Sequence, residues 1–294
     1  MYSHRDHTGY NSSMTKYLGI IGYPLGHSIS PVFQQAALDY LGIDARYLLW
    51  PTQPNRLSEQ MRLLTNGEVL GANVTVPYKE AVIPYLDTIS DLARRVAAVN
   101  TLVNRNGVLH GYNTDVAGFM RAMEDDGKFD PAGKRALIIG AGGASKAVAL
   151  ALLDANIASL TVANRTLSRA EALVESLPGD MNANARPLTE ATLATSGGWD
   201  LVINTTSVGM AGSDAEGQSP IPAHLIPRDA LIVDIVYNPT DTPLLRAAQR
   251  KGARVLGGLP MLIYQGAEAF RLWTGQEAPT EIMFNVARKA LAVH

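Results

Sequence analysis

At 294 residues the chain is long enough for about two domains, and its 47% apolar and 18% charged residues supply packed cores rather than a disordered chain. A formal charge of −2 without runs of Lys and Arg argues against a protein that tracks nucleic-acid phosphates. The lack of cysteine removes disulfides, thiolate metal sites and a Cys nucleophile together and fits a reducing, cytoplasmic compartment, while no window approaches the roughly 18 apolar residues of a membrane span.

Residues 1–15 are expected to form a disordered polar tail. MYSHRDHTGYNSS lacks the apolar stretch of a secretory signal, and His4 and His7 have no apolar anchor that would gather them into a metal site. Met14 opens the first segment that reads as folded. Residues 16–23 (KYLGIIGY) read as a strand and 31–41 as a helix, with Ser30 at its N-cap and Pro31 in its first turn. A strand at 45–50 (ARYLLW), a helix at 57–64, a strand at 71–76 (GANVTV) and a helix at 90–98 follow. TLVNRNGVLHG is a hairpin, because Asn106-Gly107 supplies the positive φ angles of a two-residue turn.

From about residue 112 the pattern changes. After a helix at 115–124, KRALIIG (134–140) is a continuous apolar strand of the kind buried on both faces. A helix at 144–154, strand SLTVANR, a helix at 168–177, strands DLVINTT and LIVDIVY, helix TPLLRAAQRKG and strand ARVLGG follow, and LPMLIYQGAEAFRLW is the last helix assigned. Such alternation implies a parallel, doubly wound sheet. The expected fold is two α/β domains. Residues 112–257 form a Rossmann-like doubly wound dinucleotide-binding domain, and 16–111 with 258–294 a smaller α/β substrate domain.

The turn Gly140-Ala141-Gly142-Gly143-Ala144-Ser145 follows a buried strand and opens a helix, the context a dinucleotide fingerprint requires. Gly140 permits the tight turn and Gly142 lets backbone approach a pyrophosphate at the helix N-terminus; Ser145 replaces the third glycine of the pattern. A mere tight turn is the competing reading. The next strand ends at Ala163-Asn164-Arg165-Thr166, where an NAD site places Asp or Glu on the ribose 2′-hydroxyl. No acid stands there. Arg165 offers a fork of donors suited to a 2′-phosphate, with Arg169 one turn onward, so the cofactor expected is NADP rather than NAD. The candidate cofactor set is Gly140, Ala141, Gly142, Gly143, Ala144, Asn164, Arg165, Thr166 and Arg169.

Several loop motifs, in order, resemble the shikimate dehydrogenase family. They are Gly22-Tyr-Pro-Leu-Gly-His-Ser28-Ile-Ser30-Pro31, Gly71-Ala-Asn73-Val-Thr75-Val-Pro77-Tyr-Lys79, Ala98-Val-Asn100-Thr101, Gly111-Tyr-Asn113-Thr114-Asp115, Asp234-Ile-Val-Tyr237-Asn-Pro and Met261-Leu-Ile-Tyr-Gln265. The resemblance implies reversible NADPH-dependent reduction of 3-dehydroshikimate to shikimate, on the chorismate route to aromatic amino acids. It further implies that Lys79 and Asp115 are the catalytic pair, that Ser28 and Ser30 hold the substrate carboxylate, and that Asn73, Thr75, Asn100, Tyr237 and Gln265 read the ring hydroxyls. These side chains can donate and accept as a polyol demands. Read without the family, Lys79 is any surface lysine after a proline, Asp115 any helix cap and the serine pair a helix start.

One departure stands out: where the family has His after Ser-Pro-x-x, this chain has Gln34. Its place in the first helix points to packing rather than chemistry. The motifs barely separate shikimate from quinate or aminoshikimate, and a non-catalytic ligand-sensing member of the family is a further alternative. A homodimer is the candidate assembly. Zinc-type spacing of the six His, a Tyr-x-x-x-Lys pair and a nucleophile elbow around Ser207 are all absent, so other dehydrogenase and hydrolase classes find no support.

Overall fold

Continuous buried runs build the central strands of this protein, seen here as a computed structural model that describes residues 15–26, 28–178, 182–194 and 198–292. Segment 1–14, on which the expected tail with His4 and His7 falls, lies outside the described residues, as does His27 of the serine loop.

The first half contains β1 (Lys16–Gly22), α1 (Ser30–Tyr40), β2 (Ala45–Pro51), α2 (Leu57–Leu63), β3 (Val69–Val74), β4 (Thr88–Ile89), α3 (Asp91–Val96), β5 (Thr101–Arg105) and β6 (Val108–Tyr112). Its strands lie in the order β2-β1-β3-β5-β6-β4. β1 pairs in parallel with β2 and β3, and β5 antiparallel with β3 and β6. The β5–β6 turn is the predicted hairpin: Asn106 and Gly107 take φ of 56° and 89°. β4, only two residues long, is not evident in the sequence pattern.

A second sheet follows from α4 (Asp115–Asp125), β7 (Arg135–Ile139), α5 (Gly143–Asp154), β8 (Ser159–Asn164), α6 (Leu167–Glu175), β9 (Ala183–Pro187), α7 (Glu190–Leu193), β10 (Leu201–Asn204), β11 (Leu231–Asp234), α8 (Pro243–Arg250) and β12 (Arg254–Leu256). Its order is β12-β11-β10-β7-β8-β9, parallel throughout. Counted from β7, this is the doubly wound order whose direction of winding reverses between β7 and β10. β9 and the short α7 are absent from the sequence assignment. With Asn184 and Arg186 on an edge strand, nothing in ANARP reads as a buried run.

The chain then forms α9 (Leu259–Thr274) and α10 (Thr280–Ala292). α10, also unassigned from sequence, buries Met283 and Ala287 in the cluster that holds Phe33, Ala37 and Leu38 of α1. α4 and α9 pack together at the seam between the sheets. Gly118 makes the approach possible, since a Cβ there would stand 2.6 Å from the Gln265 amide nitrogen. Ser30 departs from its expected place as N-cap. The helix already begins at Ser30, and Ile29 precedes it without a side-chain cap.

Candidate active site

One end of the first sheet gathers most of the predicted polar residues. Asn73, next to last in β3, stands opposite Thr101 of β5, Asn100 precedes β5, and β6 runs through Asn113 and Thr114 into Asp115, the first residue of α4. Lys79 lies in the loop after β3, its carbonyl accepting from the Val99 amide at 2.7 Å.

Lys79 Nζ stands 2.6 Å from Asp115 Oδ2, and the two side chains are 18% and 8% exposed. The other carboxylate oxygen, Oδ1, accepts from Asn100 Nδ2 at 2.8 Å. Asn100 cannot be turned the other way, because its Oδ1 accepts from the Thr114 backbone amide at 2.8 Å. Its nitrogen also faces Thr114 Oγ1 at 3.0 Å and Gln265 Oε1 at 3.3 Å. Asn113 caps α4: its Oδ1 accepts from the amides of Asp115 at 3.0 Å and Val116 at 3.4 Å. Its nitrogen donates to Ala98 O at 3.0 Å.

Asn73 joins the cluster through its Nδ2, which faces Asn100 O and Thr101 Oγ1 at 3.3 Å; among the described residues Ser28, Ser30, Thr75 and Tyr237 form no side-chain hydrogen bond into it. Ser30 is buried and Ser28 half-buried; among the described residues the one bond to either hydroxyl is a long one of 3.4 Å from the Ser30 amide to Ser28 Oγ. Neither hydroxyl donates to a partner among the described residues. Thr75 is half-buried, fixed by its amide to Ile21 O at 2.9 Å. Tyr237 belongs to the loop after β11 yet packs against the core cluster of the first sheet, and burial lifts its phenol above the ordinary tyrosine range. Gln34 is buried and donates to Gly266 O at 2.9 Å, which ties α1 to α9 beside Gln265; its Oε1 finds no partner among the described residues.

The glycine turn sits where the winding of the second sheet reverses, the crevice in which doubly wound sheets hold ligands. Gly140 has φ 113°, and a Cβ on it would meet Thr205 Oγ1 at 2.6 Å. Gly142 is open, with nothing within 4 Å of a Cβ position. Ser145, in place of a third glycine, is buried in a directed chain. The Gly142 amide donates to Ser145 Oγ at 3.0 Å, Ser145 pairs with Thr205 Oγ1 at 2.7 Å, and Thr205 donates to Ile139 O at 2.8 Å. The turn is thereby locked to the end of β10, leaving the amides of Gly143 and Ala144 in the first turn of α5 without intrahelical acceptors. Ala141 and Ala144 are half-buried beside them. At the end of β8, Asn164 donates to Thr166 O at 2.9 Å. Arg165 and Arg169 are exposed and form no ion pair among the described residues. Geometry, open backbone and uncommitted guanidinium groups all suit a phosphorylated dinucleotide.

Three features join the halves. Lys79 Cδ lies 3.9 Å from a Cβ position on Gly143, and the next residue, Glu80, accepts from Lys146 Nζ of α5 at 2.8 Å. Arg95 and Asp154 form a second ion pair across the seam, at 2.5 and 3.0 Å. Sequence reasoning assigned no role to Tyr47, Thr101, Thr205 or Lys146. Asn113 and Thr114 stood inside a quoted motif, where their position directly before Asp115 was the available signal. Among the described residues no group of three or more His, Asp or Glu could hold a metal ion. Among the described residues no helix is long and apolar enough to cross a membrane.

Three family profiles match in chain order: "Shikimate dehydrogenase substrate binding domain" at 20–102, "Shikimate / quinate 5-dehydrogenase" at 125–241 and "Shikimate 5'-dehydrogenase C-terminal domain" at 258–288. A relative named shikimate dehydrogenase (NADP(+)) from Moorella thermoacetica is 45% identical over 287 residues, covering 94% of each chain. A shikimate 5-dehydrogenase of Thermus thermophilus, crystallised with NADP(H) and shikimate, superposes with a TM-score of 0.84 at 40% identity, over 94% of this chain and 100% of its own. A quinate dehydrogenase of Corynebacterium glutamicum in complex with NAD reaches 0.85 at 32% identity, over 94% and 99%.

Proposed function

Because the chain belongs to the shikimate dehydrogenase family, we propose that it is an NADP-dependent oxidoreductase interconverting 3-dehydroshikimate and shikimate. The observation that carries this reading beyond the relatives' names is the Lys79–Asp115 pair at 2.6 Å, with Asn100 on the second carboxylate oxygen and the glycine turn beside the lysine.

Reduction of a ketone needs a hydride donor and a proton for the oxygen that becomes an alkoxide. NADPH, when bound, supplies the hydride. Lys79 supplies the proton. An ammonium has three N–H donors; Asp115 takes one, and those left face the reacting oxygen, stabilise its developing charge and deliver the proton. Asp115 holds Lys79 in place and accepts from a substrate hydroxyl. In the reverse direction neutral Lys79 takes the hydroxyl proton.

The hydroxyls of Ser28 and Ser30 hold the carboxylate, a role supported by their lack of acceptors among the described residues. Asn73, Thr75, Asn100, Tyr237 and Gln265 surround the ring hydroxyls. Gly140 to Ala144 receive the pyrophosphate, and Asn164, Arg165, Thr166 and Arg169 the ribose with its 2′-phosphate. On this reading residues 16–111 and 258–294 are the substrate domain and 112–257 the NADP domain. The enzyme is cytoplasmic, binds no nucleic acid and assembles as a homodimer; exposed Leu48 and Leu49 on the free edge β2 support the last point, which light scattering checks.

Oxidation of NADPH on addition of 3-dehydroshikimate is the direct test, and a lack of turnover at saturating cofactor overturns the reading. The likeness to a quinate dehydrogenase favours one second reading. Comparable kcat/KM for quinate and shikimate would make this a shikimate/quinate enzyme.

A further inference from the structure

Tyr47 lies on the edge strand β2, two strands away from Asn73, and belongs to none of the motifs above. In the parallel registers Tyr47 stands beside Leu18, which stands beside Gly71; two residues on, Ile20 faces Asn73. All of these side chains point to one face of the sheet. Gly71 leaves a gap on that face, where a Cβ would stand 2.5 Å from Trp273 Nε1. The Trp273 indole fills the gap, donates to Leu102 O at 2.8 Å and packs against the Tyr47 ring with centroids 6.1 Å apart. So held, the Tyr47 phenol reaches over β1 and its hydroxyl meets Asn73 Oδ1 at 2.7 Å.

The sense of that bond is fixed. Asn73 Nδ2 faces the Asn100 carbonyl at 3.3 Å, a group that can only accept, and Thr101 Oγ1 at 3.3 Å. The oxygen end of the amide must therefore face Tyr47, and Tyr47 must donate. Both bonds from the nitrogen, at 3.3 Å, are longer than usual, so a ligand oxygen can replace one of these acceptors. Tyr47 is only 4% exposed, and burial lifts its phenol well above the ordinary range, so it stays a neutral donor throughout the working pH.

We infer that Tyr47 is a positioning residue that holds the Asn73 amide in the orientation keyed by the Asn100 carbonyl, so that Asn73 reads a ring hydroxyl by donating to it. This rests on the reading of Asn73 as a substrate contact. Without the Tyr47 hydroxyl, Asn73 Oδ1 is buried with no donor among the described residues. Rotating the amide would set its oxygen against the Asn100 carbonyl oxygen, so neither orientation is satisfied.

Tyr47→Phe removes one oxygen and keeps the ring on Trp273. Shikimate KM, and its Kd measured by calorimetry, should rise about five- to tenfold, the net worth of one hydrogen bond. We expect kcat to stay within about twofold and the KM for NADP to be unchanged. In an Asn73→Ala background the same change should have no further effect on shikimate Kd. An unchanged Kd in Tyr47→Phe overturns the inference, and so does a loss that persists in full when Asn73 is already Ala, because Tyr47 would then act through the fold alone. Wild-type turnover with shikimate and NADP is measured alongside. Its absence would sink the proposed function, whereas an active wild type with an indifferent Tyr47→Phe would sink only this assignment.

Discussion

Replacing Lys79 by Met removes the ammonium while keeping a flexible apolar stem beside Gly143. Two consequences follow from the geometry. Asp115 loses its 2.6 Å partner and keeps only Asn100 on its other oxygen. With side chains 18% and 8% exposed the pair is mostly out of water, so stability should fall by about 1–3 kcal/mol, less than for a fully buried pair. The chemical effect is larger. General acid catalysis is worth roughly 10²–10⁴-fold, and about 1.36 kcal/mol of added barrier slows the rate tenfold, so the barrier should rise by about 2.7–5.4 kcal/mol and kcat fall by about 10²–10⁴-fold. Because the charge on the reacting oxygen develops only in the transition state, shikimate KM should stay within about threefold. Steady-state NADPH formation with shikimate gives both constants, and a single-turnover trace shows whether the chemical step is the one slowed. Turnover within about fivefold of wild type, or a loss carried wholly by KM, would refute the assignment of Lys79 as proton donor.

Arg165→Ala should weaken NADP by about 1.5–3 kcal/mol, the worth of a charge-assisted contact, and leave NAD nearly untouched; equal losses for the two cofactors would remove Arg165 as the reader of the 2′-phosphate. Asp234 is wholly buried, and that burial lifts its carboxyl above the ordinary 3.8, more than Thr242, Val236 and Asn204 lower it. The folded state thus holds this proton more tightly than the unfolded one, so wild-type stability declines as pH rises from 3.8 through the raised value; Asp234→Asn should lack that decline, and denaturant melts giving parallel pH profiles would contradict it. The Glu80–Lys146 pair joins the loop of Lys79 to α5 at 2.8 Å but is 60% and 21% exposed, hence worth up to about 1 kcal/mol. Glu80→Lys or Lys146→Glu should each cost about two- to fivefold in kcat/KM, with the doubly exchanged variant recovering most of it; additive losses would mean that the contact does not hold the halves together.

The doubly wound sheet was readable because its central strands are buried on both faces and stand out as apolar runs, ALII in β7 and LIV in β11. β9 was not, since an edge strand carrying Asn184 and Arg186 has no such run. α10 did carry a signal: Pro279 and Thr280 open a segment whose Met283 and Ala287 recur at helical spacing and are both buried. Arg165 followed from the missing acid at a strand end, a local feature. Lys79 and Asp115 are different, being 36 residues apart; no local pattern joins them, and only the family resemblance did. Tyr47 was hidden for a third reason. In ARYLLW it reads as one more strand aromatic, and its hydroxyl gains meaning only when β1 and β3 lie beside it.

Asparagine recurs at these strand ends for a physical reason. Its amide has a donor end and an acceptor end of nearly the same shape, and a single backbone group of unambiguous sense decides between them. Asn73 is keyed by the Asn100 carbonyl, Asn100 by the Thr114 amide, and Asn113 by the Asp115 amide and the Ala98 carbonyl. On the cofactor side Asn204 is keyed by the Thr206 amide at 3.0 Å and turns its nitrogen to Asp234 at 2.9 Å. Where strands end, backbone groups leave the sheet ladder and become free to do this. Each keyed amide presents its other end at a defined place with a defined sense. Asp115 thus receives a donor on each oxygen, Lys79 on one and Asn100 on the other. A Gln has the same groups on a longer, looser stem, and an Asp has no donor end. Neither could take the place of Asn100 without turning its donor away from Asp115 or setting a second negative charge against it, and the carboxylate that holds Lys79 would lose its second donor.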